Sequence, residues 1–219
     1  MKIRTVDQLF DRIADDQAWR KKEMSIFAAQ AAQSRGAVQA ALIRPMVALL
    51  YAHWEGFIKN SIHFYLLYLS SLNLPLDDLR DEIVAVCMRN RIRAASPAQR
   101  IGPHVEVIRF LRKNGIEPAT IPIKKEDIDT ESNLSSPVLK DLLLSIGCIF
   151  TPYEKYRDLI DDQLVSARNK IAHGESHYIE LSEWDDLRKD ILMIMDDIAL
   201  QIVDSANLKS YLAKKQASD

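Results

Sequence analysis

Leu49-Leu50-Tyr51-Ala52-His53-Trp54-Glu55-Gly56-Phe57-Ile58-Lys59 lies at the centre of a segment running from about Ala37 to Leu72. Apolar side chains there fall on nearly every side of a 3.6-residue repeat. Leu49, Leu50, Trp54, Phe57, Ile58, Ile62, Tyr65, Leu66 and Leu69 leave little surface for water, so the segment reads as a helix that other helices surround. Pro45 removes one helix hydrogen bond and either kinks this helix or marks its true first turn. His53 and His63 read as packed or boundary histidines rather than ligands. Glu55 is the odd member. An acid on a largely buried helix needs a partner, for which a site arginine would serve, or else an exposed position.

Upstream, Thr5-Val6-Asp7-Gln8 has the form of a capping box and opens a long helix to about Gln33. Val6, Leu9, Phe10, Ile13, Met24, Phe27 and Ala31 are expected on its buried side, and Ser34-Arg35-Gly36 breaks it. Downstream, helical periods cover Leu79–Ala95 and Pro103–Lys113, the second ended by Asn114-Gly115. Residues 115–136 hold Pro118, Pro122 and a Ser/Asn/Asp/Thr cluster without helical period. They read as a long mobile connection with a short extended piece at Thr120–Ile123. Ser136-Pro137 opens a short helix that Gly147 closes. A helix from about Glu154 and another from Ser182 to about Val203 complete an all-α chain. Residues 1–219 are expected to form one domain, with a core of about 5–203 and a tail of 204–219 whose lysine-rich end frays.

Apolar residues make up 47% and only six glycines occur, which favours a packed helical protein over a disordered one. Cys87 and Cys148 stand far apart with no Cys-x-x-Cys, and read as buried thiols of a reducing cytosol. The amino-terminal residues lack an apolar leader core, and the most apolar run, Ile62–Leu72, is too short to span a bilayer. A soluble, cytoplasmic protein without a membrane role is the expectation. A net charge of −2 argues against unselective nucleic-acid binding. The charge is uneven, however. Residues 86–126 carry nine basic and three acidic side chains, giving +6 there and −8 elsewhere. Arg89, Arg91 and Arg93 open that stretch, which reads either as a solvated helix face or as a basic wall for an RNA phosphate backbone.

The richest candidate site is Arg168-Asn169-Lys170-Ile171-Ala172-His173-Gly174-Glu175. Ile160, Leu164, Ala167 and Ile171 form a row that would bury one face of the helix. Asp162, Ser166, Asn169 and His173 form a second row, wholly polar, with Arg168 on the border. An arginine and a histidine at this distance are expected about once by chance in a chain with 15 arginines and 5 histidines. The weight lies in the context: an Asn directly after the Arg, a Gly-Glu after the His, and a glycine that can close the helix. Histidine moves protons near neutral pH, arginine offers a permanently charged fork to phosphate oxygens, and an amide can orient either. On a regular helix Arg168 and His173 project about 140° apart. One helix does not easily aim both at one phosphate, but two copies about a two-fold axis could. The row Asp161, Val165, Arg168 and Ala172 is expected to be free to meet that second copy. A metal held by His173 and His177 with Glu175 between them is disfavoured, because Gly174 breaks the helix that the spacing needs.

The Arg168-Asn169…His173-Gly174-Glu175 block resembles the signature of HEPN-domain ribonucleases, in which an Arg and a polar residue precede a His by a few positions. Trp54-Glu55-Gly56-Phe57 resembles the second-helix segment of HEPN proteins of toxin–antitoxin and phage-defence loci. The likeness spans roughly residues 5 to 203. It implies an all-α, HEPN-like up-and-down helical bundle with two long amino-terminal helices. It further implies a metal-independent endoribonuclease that uses no cofactor, attacks through the RNA 2′-hydroxyl and leaves a 2′,3′-cyclic phosphate. Arg168, Asn169 and His173 would be catalytic, with Glu55, Asp162, Ser166 and Glu175 in support. The active unit would be a homodimer with a composite site, acting as a toxin or phage-defence effector restrained by an antitoxin or a triggering partner. The competing expectation is a non-catalytic HEPN-type helical module that binds a nucleotide or a partner protein. In a plain interaction protein Arg168 would be a surface ion pair and His173 a helix cap.

Overall fold

A computed structural model describes residues 2–214. Helices α1 (Val6–Gln33) and α2 (Gly36–Ser71) form a long hairpin. Thr5 accepts the Gln8 N–H at 3.2 Å, while the Gln8 side chain accepts from Arg4 N–H at 2.8 Å, one residue before a capping box would place it. Leu9, Ile13, Met24 and Ala31 are buried, but Phe10 and Phe27 of the expected row are exposed. Helix α2 begins at Gly36, whose φ is +58°, and runs through Pro45 without stopping. Leu50, Trp54, Phe57, Ile58 and Tyr65 are fully buried, and α2 packs on α1, the carboxy-terminal helix and the site helix. It is the central helix.

Helices α3 (Asp81–Ala95) and α4 (Ile101–Asn114) form a second, shorter hairpin. Helix α4 buries none of its residues and leans on α3, with Ile101 and Ile108 exposed. Helix α5 (Ser136–Ser145) is followed by Gly147, whose φ of +74° suits a left-handed turn that other residues reach only with strain. Among the described residues no strand occurs, and Thr120–Ile123 joins none. Only the isolated bridges Pro75–Pro118 and Leu79–Leu212 are found. No helix among the described residues is long and apolar enough to cross a membrane. Cys87 and Cys148 are free thiols, pushed up by burial to about 11 and about 12.

The segment expected as one helix from Glu154 has three geometries. A 3₁₀ stretch covers Thr151–Tyr156, a π-helical run covers Leu159–Ser166, and α6 covers Ala167–Ala172. Bonding to the fifth residue widens each turn, so rows drawn at 3.6 residues per turn do not hold across the run. Ile160, Leu164 and Ala167 are buried as expected, but Val165 is buried too, at 7% exposure. Asp161 accepts from both the backbone N–H and the hydroxyl of Ser136. The row Asp161, Val165, Arg168 and Ala172 is therefore not a free face.

Helix α7 (Leu181–Asn207) packs on α1 and α2, and opens with a capping box in which Glu180 and Glu183 exchange backbone bonds. Order does not stop near 203. Tyr211 is buried, its carbonyl accepts from Arg80 N–H at 3.0 Å, and Ala213 N–H donates to Asp78 O at 2.9 Å. The chain end up to Ala213 thus closes the gap between α7 and α3 instead of fraying. The expected fraying of 215–219 lies outside the described residues.

Candidate active site

Arg168 stands in the first turn of α6, and the centre of its guanidinium lies 4.0 Å from the centre of the Tyr51 ring. Nη1 donates to Asn169 Oδ1 at 2.7 Å and Nη2 donates to the Ser132 carbonyl at 3.1 Å. Arginine has five N–H groups, so three remain for another acceptor. Among the described residues no carboxylate lies within 4 Å of it, and its charge is not neutralised at contact range. Neutral groups hold it in place.

The partners of Arg168 are themselves fixed by α2. The Tyr51 hydroxyl accepts the Leu134 N–H at 2.8 Å, and Trp54 Nε1 donates to the Leu134 carbonyl at 3.1 Å. The Thr130 hydroxyl donates to Glu55. Burial pushes the Tyr51 phenol up, with the Leu134 N–H and Arg168 opposing it. Ile128, Thr130 and Leu134 are buried, while Glu131 and Ser132 sit at φ of 51° and 65°, a left-handed conformation uncommon outside glycine. Residues 128–134 are packed on α2 and hydrogen-bonded to it. They form a strained turn, pinned on α2 and presenting a carbonyl to Arg168.

Glu55 takes Thr130 as its partner and makes no ion pair with Arg168. Gly56 leaves room for a buried guanidinium: a Cβ there would lie 2.9 Å from Arg20 Nη1. Arg20 also donates from Nε to Asp16 at 2.8 Å and from Nη1 to the His53 carbonyl at 3.3 Å. His53 is buried, with Nε2 2.7 Å from a Glu23 carboxylate oxygen. Burial, then the Arg20 charge, push its pKa down, against Glu23.

His173 caps the carboxy end of α6, with φ −87° and ψ 5°, and its N–H donates to Asn169 O at 3.0 Å. Its ring is exposed. Gly174, at φ +78°, turns the chain, Glu175 N–H closes back on Lys170 O at 2.9 Å, and Arg44 Nη2 donates to the Glu175 carbonyl at 2.7 Å. Glu175 thus contributes its backbone. Asp162 is exposed and Ser166 half-buried, and neither is drawn into the Arg168 cluster. The structure brings together Arg168, Asn169, Tyr51 and Ser132, and leaves His173 at the edge. Among the described residues no three His, Cys, Asp or Glu side chains gather closely enough to hold a metal ion.

The three basic candidates separate. Arg89 Nη1 donates to the Asp127 carbonyl at 2.9 Å, Arg91 stacks on Phe110 at 3.6 Å, and Arg93 is exposed. Arg89 thereby ties down the far end of the loop whose near end holds Arg168. Tyr51, Thr130 and Ser132 escaped the sequence reading. Tyr51 was visible only as one more aromatic of a buried helix, and no spacing relates it to positions 132 and 168.

The model of the HEPN_MAE_28990-like HEPN family matches residues 9–211, which is most of the chain. No curated protein and no solved structure matches it. An all-α bundle with a central second helix, an Arg-Asn…His block at a helix end, and this family match lead to one assignment: the chain belongs to the HEPN superfamily, in its HEPN_MAE_28990-like family.

Proposed function

We propose that this protein is a metal-independent endoribonuclease, acting in the cytoplasm as a toxin or phage-defence effector. One observation carries the reading: Arg168 is half-buried, fixed by Tyr51, Asn169 and Ser132, and has no carboxylate at contact range among the described residues. A preorganised, unneutralised guanidinium suits the charge that develops on a phosphate in flight. The RNA 2′-oxygen bonds to the adjacent phosphorus, the P–O5′ bond breaks, and a 2′,3′-cyclic phosphate and a 5′-hydroxyl remain. His173 exchanges the protons of that step, taking one from the 2′-hydroxyl or giving one to the leaving O5′. Arg168 and the Asn169 amide bind the non-bridging oxygens. Arg89, Arg91 and Arg93 guide the phosphate backbone.

Because Arg168 and His173 diverge along one helix, the working site is a composite of two copies. Ala172 at the exposed end of α6 and His173, its cap, are the part free to reach a partner. An antitoxin or a triggering partner restrains the enzyme in the cell.

The purified protein is expected to cut single-stranded RNA in excess EDTA and to leave DNA intact, since DNA lacks the attacking hydroxyl. His173→Ala should lower turnover by roughly 10²–10⁴-fold and Arg168→Ala by roughly 10²–10³-fold. Mixing the two inactive variants should restore part of the activity, because one mixed dimer holds an intact Arg and an intact His. A wild-type protein that cuts no RNA would overturn the nuclease in favour of a binding module, in which Arg168 merely ties the 128–134 turn to α6; cleavage by both variants at the wild-type rate would take the chemistry away from Arg168 and His173. Sedimentation decides the composite site: a monomer that cuts at full rate removes it.

A further inference from the structure

A solvent-open cavity of about 460 Å³ lies on α2. Ala52, Glu55, Gly56 and Lys59 of α2 line it on one side, and Lys125 and Glu126 on the other. Lys125 and Glu126 belong to the turn Lys125–Asp127, which packs on α2 and is held from behind by Arg89 through Asp127 O at 2.9 Å. Glu55 lies one helical turn, ~6 Å, from Tyr51, on whose ring Arg168 stacks. Cavity and arginine therefore share one face of α2 and one loop.

The chemistry of the rim narrows what fits. A bare phosphate would meet two carboxylates, and a bare cation would meet two ammonium groups. Neither Lys59 nor Lys125 has a carboxylate within 4 Å among the described residues, so both can donate to a ligand. Glu55 is steadied at Oε1 by the Thr130 hydroxyl, and its Oε2 is left to accept. Ala52 keeps the α2 side of the cavity low, and next to it the Arg20 guanidinium covers Gly56. A planar group with N–H donors and with acceptors on its edges, attached to a phosphate, answers all of these features.

We infer that this cavity seats the base next to the phosphate held by Arg168, and that it selects guanine. Guanine alone among the four bases presents adjacent N1–H and N2–H₂ donors, which suit the Glu55 carboxylate, together with O6 and N7 acceptors for a lysine. Cytosine and adenine offer a single amino group, and uracil a single N–H. The base shelf would thus make the nuclease a guanine-directed one. The RNA context rests on the nuclease reading above, but binding to the shelf is measurable without it.

The test is calorimetric titration of His173→Ala protein with GMP, AMP, CMP, UMP and inorganic phosphate. GMP is expected to bind at least tenfold tighter than the other nucleotides. Glu55→Gln should remove that preference. Ala52→Leu, at an exposed position of α2, should fill the cavity, weaken GMP at least tenfold and leave the melting temperature unchanged. Equal affinity for all four nucleotides overturns the shelf, and so does GMP binding that Ala52→Leu does not weaken. If RNA is cut without regard to guanine, the shelf fails and the nuclease stands. If GMP binds as described but RNA is never cut, the nuclease fails and the shelf stands.

Discussion

Tyr51 serves two masters, the loop and the arginine. Its ring carries Arg168 and its hydroxyl satisfies the buried Leu134 N–H. Tyr51→Phe keeps the ring and orphans the N–H, so stability should fall by about 1–3 kcal/mol in urea denaturation while cleavage changes little. Tyr51→Leu removes the stack as well and should lower kcat with a smaller change in KM; unchanged kcat would show that Arg168 does not depend on Tyr51. His53 supplies a pH signature. Its folded pKa is below that of an unfolded histidine, because burial and Arg20 disfavour the charged ring. Between the two pKa values the unfolded chain binds more protons, so this stability is present above about pH 6.5 and lost as pH falls below it. His63 is shifted the same way by burial and adds to the effect. Melting temperature should decline from pH 7 toward pH 5.5, and His53→Gln should flatten part of that slope. An unchanged slope would place the proton uptake elsewhere.

At the scale of the element, the π-helical run Leu159–Ser166 is the unexpected feature. It leads directly into Arg168, and such runs are common at functional sites because they re-aim the side chains that follow. Here the widened turn buries Val165 beside Leu164 while leaving Arg168 over Tyr51. Val165→Asp should therefore destabilise the monomer itself by several kcal/mol, since it buries a charge without a partner. Ala172→Asp, at the exposed end of α6, should leave the melting temperature within about a degree or two, as surface changes do. Ala172→Asp is then the cleaner probe of dimer formation. A stable, monomeric Val165→Asp protein would contradict the burial described here.

At the scale of the molecule, α1, α2 and α7 make the body, and the α3–α4 hairpin is joined to it by few elements. The chain end is one of the joints. Tyr211 is 4% exposed, packs edge-on against Tyr68 with ring centres 6.3 Å apart, and is followed by the Leu79–Leu212 bridge. Tyr211→Ala should cost about 2–4 kcal/mol, of the order of other large-to-small changes in a packed core. Hydrogen exchange should rise first at the start of α3, because the residue 211 carbonyl that accepts the Arg80 N–H is no longer held by a packed ring. Exchange that rises uniformly would mean that the hairpin and the body unfold as one unit.

What the chain determined by itself was local. The cap at Thr5, the closures at Gly147 and Gly174, the burial of α2 and the helix-end position of Arg168-Asn169…His173 all follow from residues within about five positions of one another. Caps and helical faces are decided over that range, so they were legible. The two blocks also carried the HEPN likeness that the family match shows. Only the folded chain could bring Tyr51 and Ser132 to Arg168, because contacts across such separations leave no periodic trace. The same holds for the π-helical register, which tertiary packing holds and no local propensity signals. Glu55 shows the boundary most plainly: its need for a partner was readable from burial, and its choice of Thr130 was set by a strained turn that packing alone keeps in place.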